Sequence, residues 1–332
     1  MNRRRALLIM SATAVCAAFS ATLSHATAPG PNGRIAFQRY RLHDSPLQAE
    51  IFVVNSDGSA ERKVTHVSPG TIDGESHWAP DGSRIVFQRC QGAKGAESSA
   101  SRCLIWSVRP DGRGLRRLSP SCHRASGPAT CVFDISPVYS PDGRRIAFAR
   151  WRGPKLVGVM VADTNLQHAR RVGLGWEPGW SPDGKRLVFG WKPANREAVY
   201  VANADGTGRH RVTPWRLRAG DHPDWSPDGT RILFNTGVTG PAGSDNQGNL
   251  YTVRPDGTGL RQLTHFRGVS KLGNGSYSPD GQSIVFSTIV GAVNPPGASL
   301  TDVFIMSADG TNIRPVTRAR NWDGEADWGP RG

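Results

Sequence analysis

Apolar and polar residues alternate along the chain in short runs separated by tight turns. The segment WSPDGKRLVF at residues 180–189 is typical of an aromatic strand end, a turn and a second, half-buried strand. Close copies occupy residues 78–87, 139–148, 225–234 and 277–286. In each turn, proline fixes φ, aspartate can bond back to the backbone, and glycine takes the positive φ of the chain reversal. The pattern therefore predicts a repeated β-hairpin.

A second hairpin motif follows each of the first, as a short apolar strand that ends in a polar-Asp-Gly turn. Its copies begin at residues 51, 105, 199, 250 and 303, and a degenerate copy begins at residue 157. Two hairpins make one four-stranded antiparallel unit. Such a unit repeated every 40 to 50 residues, roughly, is typical of a β-propeller blade.

The two ends of the chain predict the number of blades. The first repeat begins mid-unit at residues 31–37, without its aromatic strand, and residues 325–330 have the sequence of that missing strand. One blade is therefore predicted to be shared between the termini, which leaves no sheet edge open. We predict an all-β fold, a six-bladed β-propeller that forms a single domain over residues 27–332. A seventh blade would need a hidden repeat between Asp81 and Asp142, where the excess length falls in two loops.

The N-terminus has the order of a secretory signal peptide. Three arginines at positions 3–5 precede an apolar run, and Ser24 and Ala26 offer small residues at the −3 and −1 positions of a cleavage site. We predict a signal peptide over residues 1–26 and a periplasmic or secreted protein without a transmembrane segment after cleavage. An uncleaved anchor is the alternative. The choice between Sec and twin-arginine export stays open.

The cysteines are consistent with export to an oxidising compartment. Four lie outside the leader: Cys90, Cys103, Cys122 and Cys131. Of the three possible pairings, we favour the one between nearest neighbours, 90 with 103 and 122 with 131. A zinc site is the competing interpretation, but neither pair has the CxxC spacing of structural zinc.

The chain is strongly basic, with a formal net charge of +14. Its arginines recur before the second strand and on the fourth strand of each unit, so the charge is predicted to be spread around the rim, where it discourages edge-to-edge pairing. A nucleic-acid groove would gather basic residues on one face among stacking aromatics. We therefore predict no nucleic-acid partner.

The PxWSPDG pattern at residues 178–184 and 223–229 resembles the WD-like repeat of the TolB β-propeller, which is also used in the propeller domains of prolyl oligopeptidases and in some pectate-fragment lyases. The resemblance covers essentially the whole chain after the leader. TolB places an α/β domain before its propeller, whereas only residues 27–30 separate the predicted cleavage site from the first blade. Prolyl oligopeptidases append a hydrolase domain with a GxSxG nucleophile elbow, and no GxSxG occurs in this sequence.

The innermost strand of each predicted blade faces the central channel. Three residues before its aromatic end, the units have Glu75, Ser136, Glu177, His222, Asn274 and Glu325. Because side chains alternate with a period of two, these equivalent positions should form a ring near one channel mouth, which we call the collar. The aspartates two residues earlier are predicted to add negative charge to the collar: Asp73, Asp134 and Asp323.

Three interpretations of the collar stay open. Its residues hydrate the channel, bind a protein or peptide partner of the cell envelope, or bind a metal ion. No catalytic triad, phosphate loop or metal-binding helix motif is evident, so we predict a monomeric binding scaffold, with no enzymatic activity and no cofactor. The alternative is a lyase or hydrolase of acidic oligosaccharides or glycans that uses His222 and a metal at the channel mouth.

The recurring aromatic residues have a structural interpretation. Because they hold a fixed place in every repeat, they are predicted to wedge between adjacent blades: Trp78, Tyr139, Trp180, Trp225, Tyr277 and Trp328. The tryptophans outside that position are the better candidates for contact with a ligand: Trp176, Trp191, Trp215 and Trp322.

Overall fold

The structure is a computed structural model, and it describes residues 30–41, 47–91, 102–120, 132–236, 248–266, 269–290, 302–318 and 321–331. The predicted signal peptide and the predicted Cys122–Cys131 bridge lie outside these residues. Within them, no helix is long and apolar enough to cross a membrane.

The described residues form β-strands joined by turns and by two short 3₁₀ helices, Pro193–Asn195 and Trp215–Leu217. The strands are β1 (Asn32–Arg41), β2 (Gln48–Val54), β3 (Arg62–Lys63), β4 (Thr71–Trp78), β5 (Ile85–Gln91), β6 (Arg102–Val108), β7 (Arg116–Arg117), β8 (Val132–Tyr139), β9 (Arg145–Arg152), β10 (Lys155–Asp163), β11 (Arg170–Gly173), β12 (Trp176–Trp180), β13 (Arg186–Trp191), β14 (Ala198–Asn203), β15 (His210–Arg211), β16 (Ala219–Trp225), β17 (Ile232–Thr236), β18 (Leu250–Val253), β19 (Arg261–Gln262), β20 (Val269–Tyr277), β21 (Ser283–Val290), β22 (Val303–Ser307), β23 (Arg314–Pro315) and β24 (Trp322–Pro330).

These strands pair in antiparallel units of four. Strands β8–β11, β12–β15, β16–β19 and β20–β23 each form one four-stranded sheet, and we call them the third to sixth units. The closing unit consists of β24, β1, β2 and β3, and the second unit of β4–β7. A single parallel bridge between Ala49 and Ile72 joins these two units into one eight-stranded sheet.

The all-β propeller fold class is confirmed. As predicted, the last strand completes the unit that contains the first strand, here called the closing unit. Strand β24 pairs with β1 in a register that sets Ile35 opposite Trp328. The count of six blades stays a prediction, because two of the units share one sheet.

The hydrophobic core lies between neighbouring units. The aromatic residue at the end of each innermost strand is buried; Trp180 is 1% exposed and Trp225 is fully buried. Trp180 packs against Val159 and Val161 of the third unit and against Leu187 of its own. The recurring aromatics therefore wedge between units, as predicted from their fixed place in the repeat. A buried tryptophan of this kind removes 150–250 Å² from water, about 4–6 kcal/mol as an upper bound.

The turn of the first motif is built by its serine and aspartate. Ser181 Oγ donates to Asp183 Oδ1 at 2.6 Å and accepts the Arg186 N–H at 2.9 Å. Asp183 Oδ1 also accepts the Lys185 N–H at 3.1 Å, and Gly184 has a φ of 65°. The aspartate thus bonds back to the turn backbone, as its position in the motif predicts.

Basic residues on the short fourth strands join neighbouring units. Arg314 Nη1 donates to Ser56 O of the closing unit at 2.9 Å, and Arg261 Nη2 donates to Asp309 O of the sixth unit at 3.0 Å. Arg62 makes the same bond to Pro110 O of the second unit. These arginines therefore do more than carry charge, because their side chains also hydrogen-bond to the backbone of the neighbouring unit.

The predicted bridge between Cys90 and Cys103 is confirmed. The two residues lie directly opposite each other on β5 and β6, with a Cα–Cα distance of 4.0 Å and an S–S distance of 2.00 Å. The disulfide therefore joins adjacent strands of the second unit at the end where residues 92–101 connect them.

Candidate functional site at the channel mouth

The collar residues lie on bulged, strained backbone. Five of them have φ between 46° and 50°, in the left-handed region that favours glycine: Glu75, Ser136, Glu177, His222 and Glu325. On each strand the pairing register shifts at or beside that residue. A bulge of this kind re-aims a side chain, and it costs of the order of 1–3 kcal/mol when the residue is not glycine.

The sixth collar member differs in backbone conformation but not in location. Asn274 lies at the register shift between Leu272 and Gly275. It lines an open cavity of about 70 Å³ together with Glu75, Glu177 and His222. The collar positions therefore converge, as the alignment of the repeats predicts, although the bulge was not foreseen from a period of two.

His222 lies at the centre of the collar. Its Nδ1 is 3.6 Å from Glu75 Oε2, and its Nε2 is 3.5 Å from Glu177 Oε1 and 3.7 Å from Glu325 Oε2. The His222 side chain is 9% exposed and the three glutamates are 13–19% exposed. The collar thus brings glutamates from three units around the imidazole of a fourth.

Hydrogen bonds from backbone N–H groups to side chains of the neighbouring unit position two collar residues. The His222 N–H donates to Glu177 Oε2 at 2.6 Å, so a side chain of the fourth unit binds the backbone of the fifth. The Ser136 N–H donates to Gln88 Oε1 at 3.1 Å, across the second and third units. Both bonds satisfy an N–H that the bulge removes from the strand ladder.

The collar holds positive and negative groups in a buried setting. Burial lowers the pKa of His222, but Glu177, Glu75, Glu325 and Asp221 outweigh it and raise the pKa to about 9. Burial raises the pKa of Glu177 to about 8, against the opposing effect of His222. Both groups therefore keep a proton to a higher pH than they would in water, and the two shifts belong to the pair.

Further polar atoms in or beside the cavity lack a hydrogen bond. Among the described residues, Ser76 Oγ, His77 Nδ1, Asn274 Oδ1 and Glu325 Oε2 are buried and have no hydrogen-bond partner. Ser76, His77 and Asn274 line the cavity directly. Each such atom costs about 1–3 kcal/mol unless water or a ligand bonds to it.

Two further carboxylates, Asp224 and Asp327, line the cavity. Asp327 Oδ2 accepts the Trp78 N–H at 2.9 Å, and Asp224 Oδ2 accepts the Tyr277 N–H at 3.0 Å. Burial raises the pKa of Asp224 to about 7, with Asp327 adding to the increase and the Tyr277 N–H opposing it. Asp327 therefore joins the closing unit to the second, and Asp224 joins the fifth unit to the sixth.

The earlier aspartates, which are predicted to add negative charge to the collar, pair with arginines in the structure. Asp73 and Asp323 are fully buried, and each binds the guanidinium of an arginine on the adjacent strand. Arg89 Nε and Nη2 reach Asp73 at 2.6 and 2.7 Å, and Arg39 Nε and Nη2 reach Asp323 at 2.6 and 2.8 Å. Asp134 pairs with Arg150 in the same way. These pairs are internally neutralised and offer no free charge to a ligand.

A sequence signal for these pairs exists. The three units with the aspartate also have an arginine two residues after the phenylalanine of the second strand, whereas the other units have Trp191, Thr236 or Thr288 at that position. Matching the two positions across the repeats would have identified the ion pairs.

Three of the four tryptophans suggested as ligand contacts pack against other side chains of the propeller. Trp191 and Trp215 are partly buried against the cluster that contains Trp180. The guanidinium of Arg209 lies 4.4 Å from the Trp191 ring centre, and that of Arg211 lies 4.5 Å from the Trp215 ring centre. Trp322 packs edge-on against Tyr40 at 4.6 Å. These contacts account for the three side chains without a ligand.

The collar also has the donor set of a metal site. One ligand atom each from Glu75, His222 and Glu325 lies within 4.8 Å of the others. An imidazole and two carboxylates suit a divalent transition metal, provided that the imidazole is neutral. The arrangement can therefore accept a cation, either a metal ion or a positively charged organic group.

Comparison with known proteins identifies the repeat. The family model of the TolB beta propeller domain matches residues 130–288. The Tol-Pal system protein TolB of Anaeromyxobacter dehalogenans is 32% identical over 186 residues, which are 48% of this chain and 42% of that protein. The aligned part thus spans less than half the length of that relative.

Solved structures show the same fold. TolB from Acinetobacter baumannii superposes with a TM-score of 0.67 at 18% identity, over 92% of this chain and 68% of that one. A putative TolB from Agrobacterium tumefaciens superposes with a TM-score of 0.63 at 20% identity, over 88% of this chain and 92% of that one. The resemblance inferred from the PxWSPDG repeats is therefore confirmed.

Proposed function

We propose that this chain, a β-propeller built from TolB-type repeats, is a binding scaffold of the cell envelope that holds a protein partner at the collar. The observation that carries the proposal is that Glu75, Glu177 and Glu325 surround His222, while His222, Glu75 and Glu177 line one open cavity. Strained backbone and unsatisfied buried groups at one place are typical of a functional site, since folding alone would select against both.

The relatives support the envelope location. Two proteins named for TolB, one of them assigned to the Tol-Pal system, share the fold or part of the sequence. The signal-like N-terminus and the Cys90–Cys103 disulfide agree with an oxidising, extracytoplasmic compartment. The partner itself is a proposal, because the match covers less than half of the Tol-Pal relative.

Partner capture from an envelope extract of the host tests the proposal. The collar variant Glu75→Gln/Glu325→Gln should lose a protein that the wild-type chain retains. The matched control is Asp57→Asn, which removes one carboxylate from an exposed turn where asparagine can still accept the Ser59 N–H. Capture that is equal for all three chains would contradict a role of the collar.

A second candidate function rests on the Glu75–His222–Glu325 donor set. A metal bound there would act as a Lewis acid toward an acidic oligosaccharide, and Glu177 would lie beside it. The test is a metal analysis followed by an assay of acidic oligosaccharide cleavage. Stoichiometric metal together with turnover that His222→Gln abolishes would favour the enzyme over the scaffold.

A further inference from the structure

We infer that the outer part of the fourth unit binds an extended acidic peptide, whose carboxylates at alternate positions pair with the guanidinium groups of Arg209 and Arg211. These arginines lie on and beside β15, the outermost strand of the unit. Three strand spacings, about 14 Å, separate β15 from the innermost strand that carries the collar residue. The inference therefore adds a second binding surface and does not depend on the proposed role of the collar.

Both arginines are stacked on tryptophan rings. The Arg209 guanidinium lies over Trp191, 4.4 Å from the ring centre, and that of Arg211 lies over Trp215 at 4.5 Å. Arg211 Nη1 also donates to Thr213 O at 2.6 Å, which fixes its guanidinium further. A guanidinium stacked on a ring keeps N–H donors at its edge, where they can bind both oxygens of a carboxylate. The two cations are therefore oriented before a ligand binds.

Tyr200 belongs to the same surface. It lies opposite Arg211 in the pairing of β14 with β15, and its ring packs edge-on against Trp191 with the ring centres 5.1 Å apart. Burial raises the pKa of Tyr200, and the charges of Arg211 and Arg209 oppose that rise, so both cations act on one phenol oxygen. No described residue accepts a hydrogen bond from this hydroxyl group, which can therefore donate to an anion beside the arginines.

Other units neutralise the equivalent cations internally. In the second unit, Arg89 lies over an aromatic ring and binds Asp73 through two hydrogen bonds. The fourth unit has Trp191 in the place of Arg89 and Gly175 in the place of Asp73. The stack of a guanidinium on an aromatic ring is kept, with Arg209 as the cation, but the carboxylate of that pair is replaced by glycine.

The acid that would pair with Arg211 is replaced as well. In the closing unit the same strand position holds Lys63, whose Nζ lies 2.5 Å from Glu50 Oε2. Ala198 takes the place of Glu50 in the fourth unit. Within the part of the chain that the structure describes, neither Arg209 nor Arg211 has an ion pair with a carboxylate. A ligand with two carboxylates would supply both of the acids that the other units provide from within.

The surroundings of the two arginines attract anions. Between residues 170 and 218, the exposed charged side chains are nine cations and two acids, Asp183 and Asp205. Both aspartates accept N–H groups of their own turns, at 3.1 and 2.9 Å. A surface with such an excess of positive charge raises the local concentration of acidic ligands, most strongly at low salt.

The spacing of the arginines favours a peptide over other polyanions. Arg209 and Arg211 flank His210, whose Nε2 contacts Pro255 O of the fifth unit at 3.0 Å instead. In an extended peptide, alternate side chains lie on one face about 7 Å apart, so acidic residues at alternate positions can reach one guanidinium each. The two tryptophans are covered by the guanidinium groups and packed against the core, so they do not offer the open ring faces on which nucleic-acid bases stack.

Calorimetric titration of the full chain with blocked heptapeptides in about 20 mM salt tests the inference. The first peptide consists of glycines and two glutamates separated by one residue. In the second the two glutamates are adjacent, and in the third glutamines replace them. We expect saturable binding of the first peptide and about tenfold weaker binding of the third. The second peptide should have an intermediate affinity, because adjacent side chains of an extended chain point to opposite sides.

Variants of the two arginines locate the site. Arg209→Gln and Arg211→Gln should each weaken binding of the first peptide by about fivefold or more. The matched control is Arg117→Gln, which removes the same charge from the position that Arg211 has in the fourth unit, but in the second unit. It should change the affinity by less than about twofold. The collar variant Glu75→Gln/Glu325→Gln should also leave the affinity unchanged, so this inference and the proposed function can fail separately.

Four results would overturn the inference. The first is no saturable binding of the alternate-glutamate peptide, or equal affinity for its glutamine counterpart. The second is an equal loss with Arg117→Gln and Arg211→Gln, which would indicate general attraction to a basic protein. The third is tighter binding of trigalacturonate or of a thymidine oligonucleotide than of the peptide, which would identify a different class of polymer. The fourth is binding of sodium phosphate as tight as that of the peptide, which would indicate a site for a single anion.

Discussion

Two layers of carboxylates occur on the innermost strands, two residues apart in sequence, and their partners differ. Asp73 binds Arg89 of its own unit through two hydrogen bonds, and Asp323 binds Arg39 likewise. Glu75 and Glu325 instead share one imidazole from another unit at distances beyond a hydrogen bond. The comparison indicates that the first layer is complete within each unit, whereas the contacts of Glu75 and Glu325 with His222 form only across units.

The largest expected effect is on the first layer. Asp73→Ala leaves the buried Arg89 guanidinium without its carboxylate, so the free energy of unfolding should fall by about 3–5 kcal/mol. Chemical denaturation measures this change. Glu75→Gln, two residues away, should change it far less because the collar contacts are long, and an equal loss would contradict the division into two layers.

The pH dependence of stability tests the raised pKa values of the buried groups at and beside the collar. The folded-state pKa values of Glu177, His222 and Asp224 are raised to about 8, 9 and 7 from ordinary values of 4.5, 6.5 and 3.8. A raised folded-state pKa contributes stability that is present below the ordinary value and is lost as the pH rises through the folded value. We expect Tm to be lower at pH 9 than at pH 5.5, by more than about 5 °C.

The matched control for that pH dependence is the double variant Glu177→Gln/His222→Gln, measured by differential scanning calorimetry over the same range. Its Tm should vary less with pH than that of the wild-type chain. A wild-type Tm that is constant or rises from pH 5.5 to 9 would contradict the raised pKa values.

A smaller effect is expected from Glu177→Gln alone. At pH 9 the wild-type carboxyl is mostly ionised in a buried site, one pH unit above its folded-state pKa of about 8, while glutamine keeps an oxygen for the His222 N–H. From pH 6 to pH 9 the variant should gain about 2–3 kcal/mol in free energy of unfolding over the wild-type chain, because the wild-type chain loses about 1.36 kcal/mol per pH unit until the pH reaches the folded-state pKa. Urea denaturation at pH 9 and pH 6 checks this, and equal stability at both pH values would argue against ionisation of Glu177.

The smallest expected effect on the free energy of unfolding comes from backbone strain at Ser136, an uncharged collar residue. Ser136 has a φ of 49° and no ionisable group, so it isolates the bulge from the electrostatics of the collar. Ser136→Gly should change the free energy of unfolding by less than about 1 kcal/mol, because relief of strain and loss of chain entropy nearly cancel. Ser136→Val should destabilise by about 1 kcal/mol or more, because a β-branched residue disfavours positive φ. Equal effects of the two substitutions would argue against a strained position.

Much of this architecture follows from local sequence. The PDG turns, the buried aromatics and the completion of the first unit by the last strand are all set by contacts within a few residues or by the register of the repeats. The Cys90–Cys103 bridge is similarly local, because the two residues face each other across one hairpin. The repeats make these predictions stronger, because the same pattern of turns and strands occurs in each unit.

The candidate site was only partly predictable. Aligning the repeats identified the collar positions, but a strict period of two could not reveal the bulge that gives Glu75, Glu177 and His222 a positive φ. The alignment of the repeats also placed Asp73 and Asp323 in the collar. The alignment of one position does not show that an arginine on the adjacent strand neutralises each aspartate. That information lies on the adjacent strand, in Arg89 and Arg39.

By itself, the sequence determined the repeating unit, its turns and the set of residues that face the channel, because these depend on short-range periodicity. Only the tertiary structure decided which carboxylates are neutralised by arginine and which surround His222. The physical reason is that each collar contact joins residues from different units, 45 to about 150 positions apart, and such contacts form only when the ring of units closes.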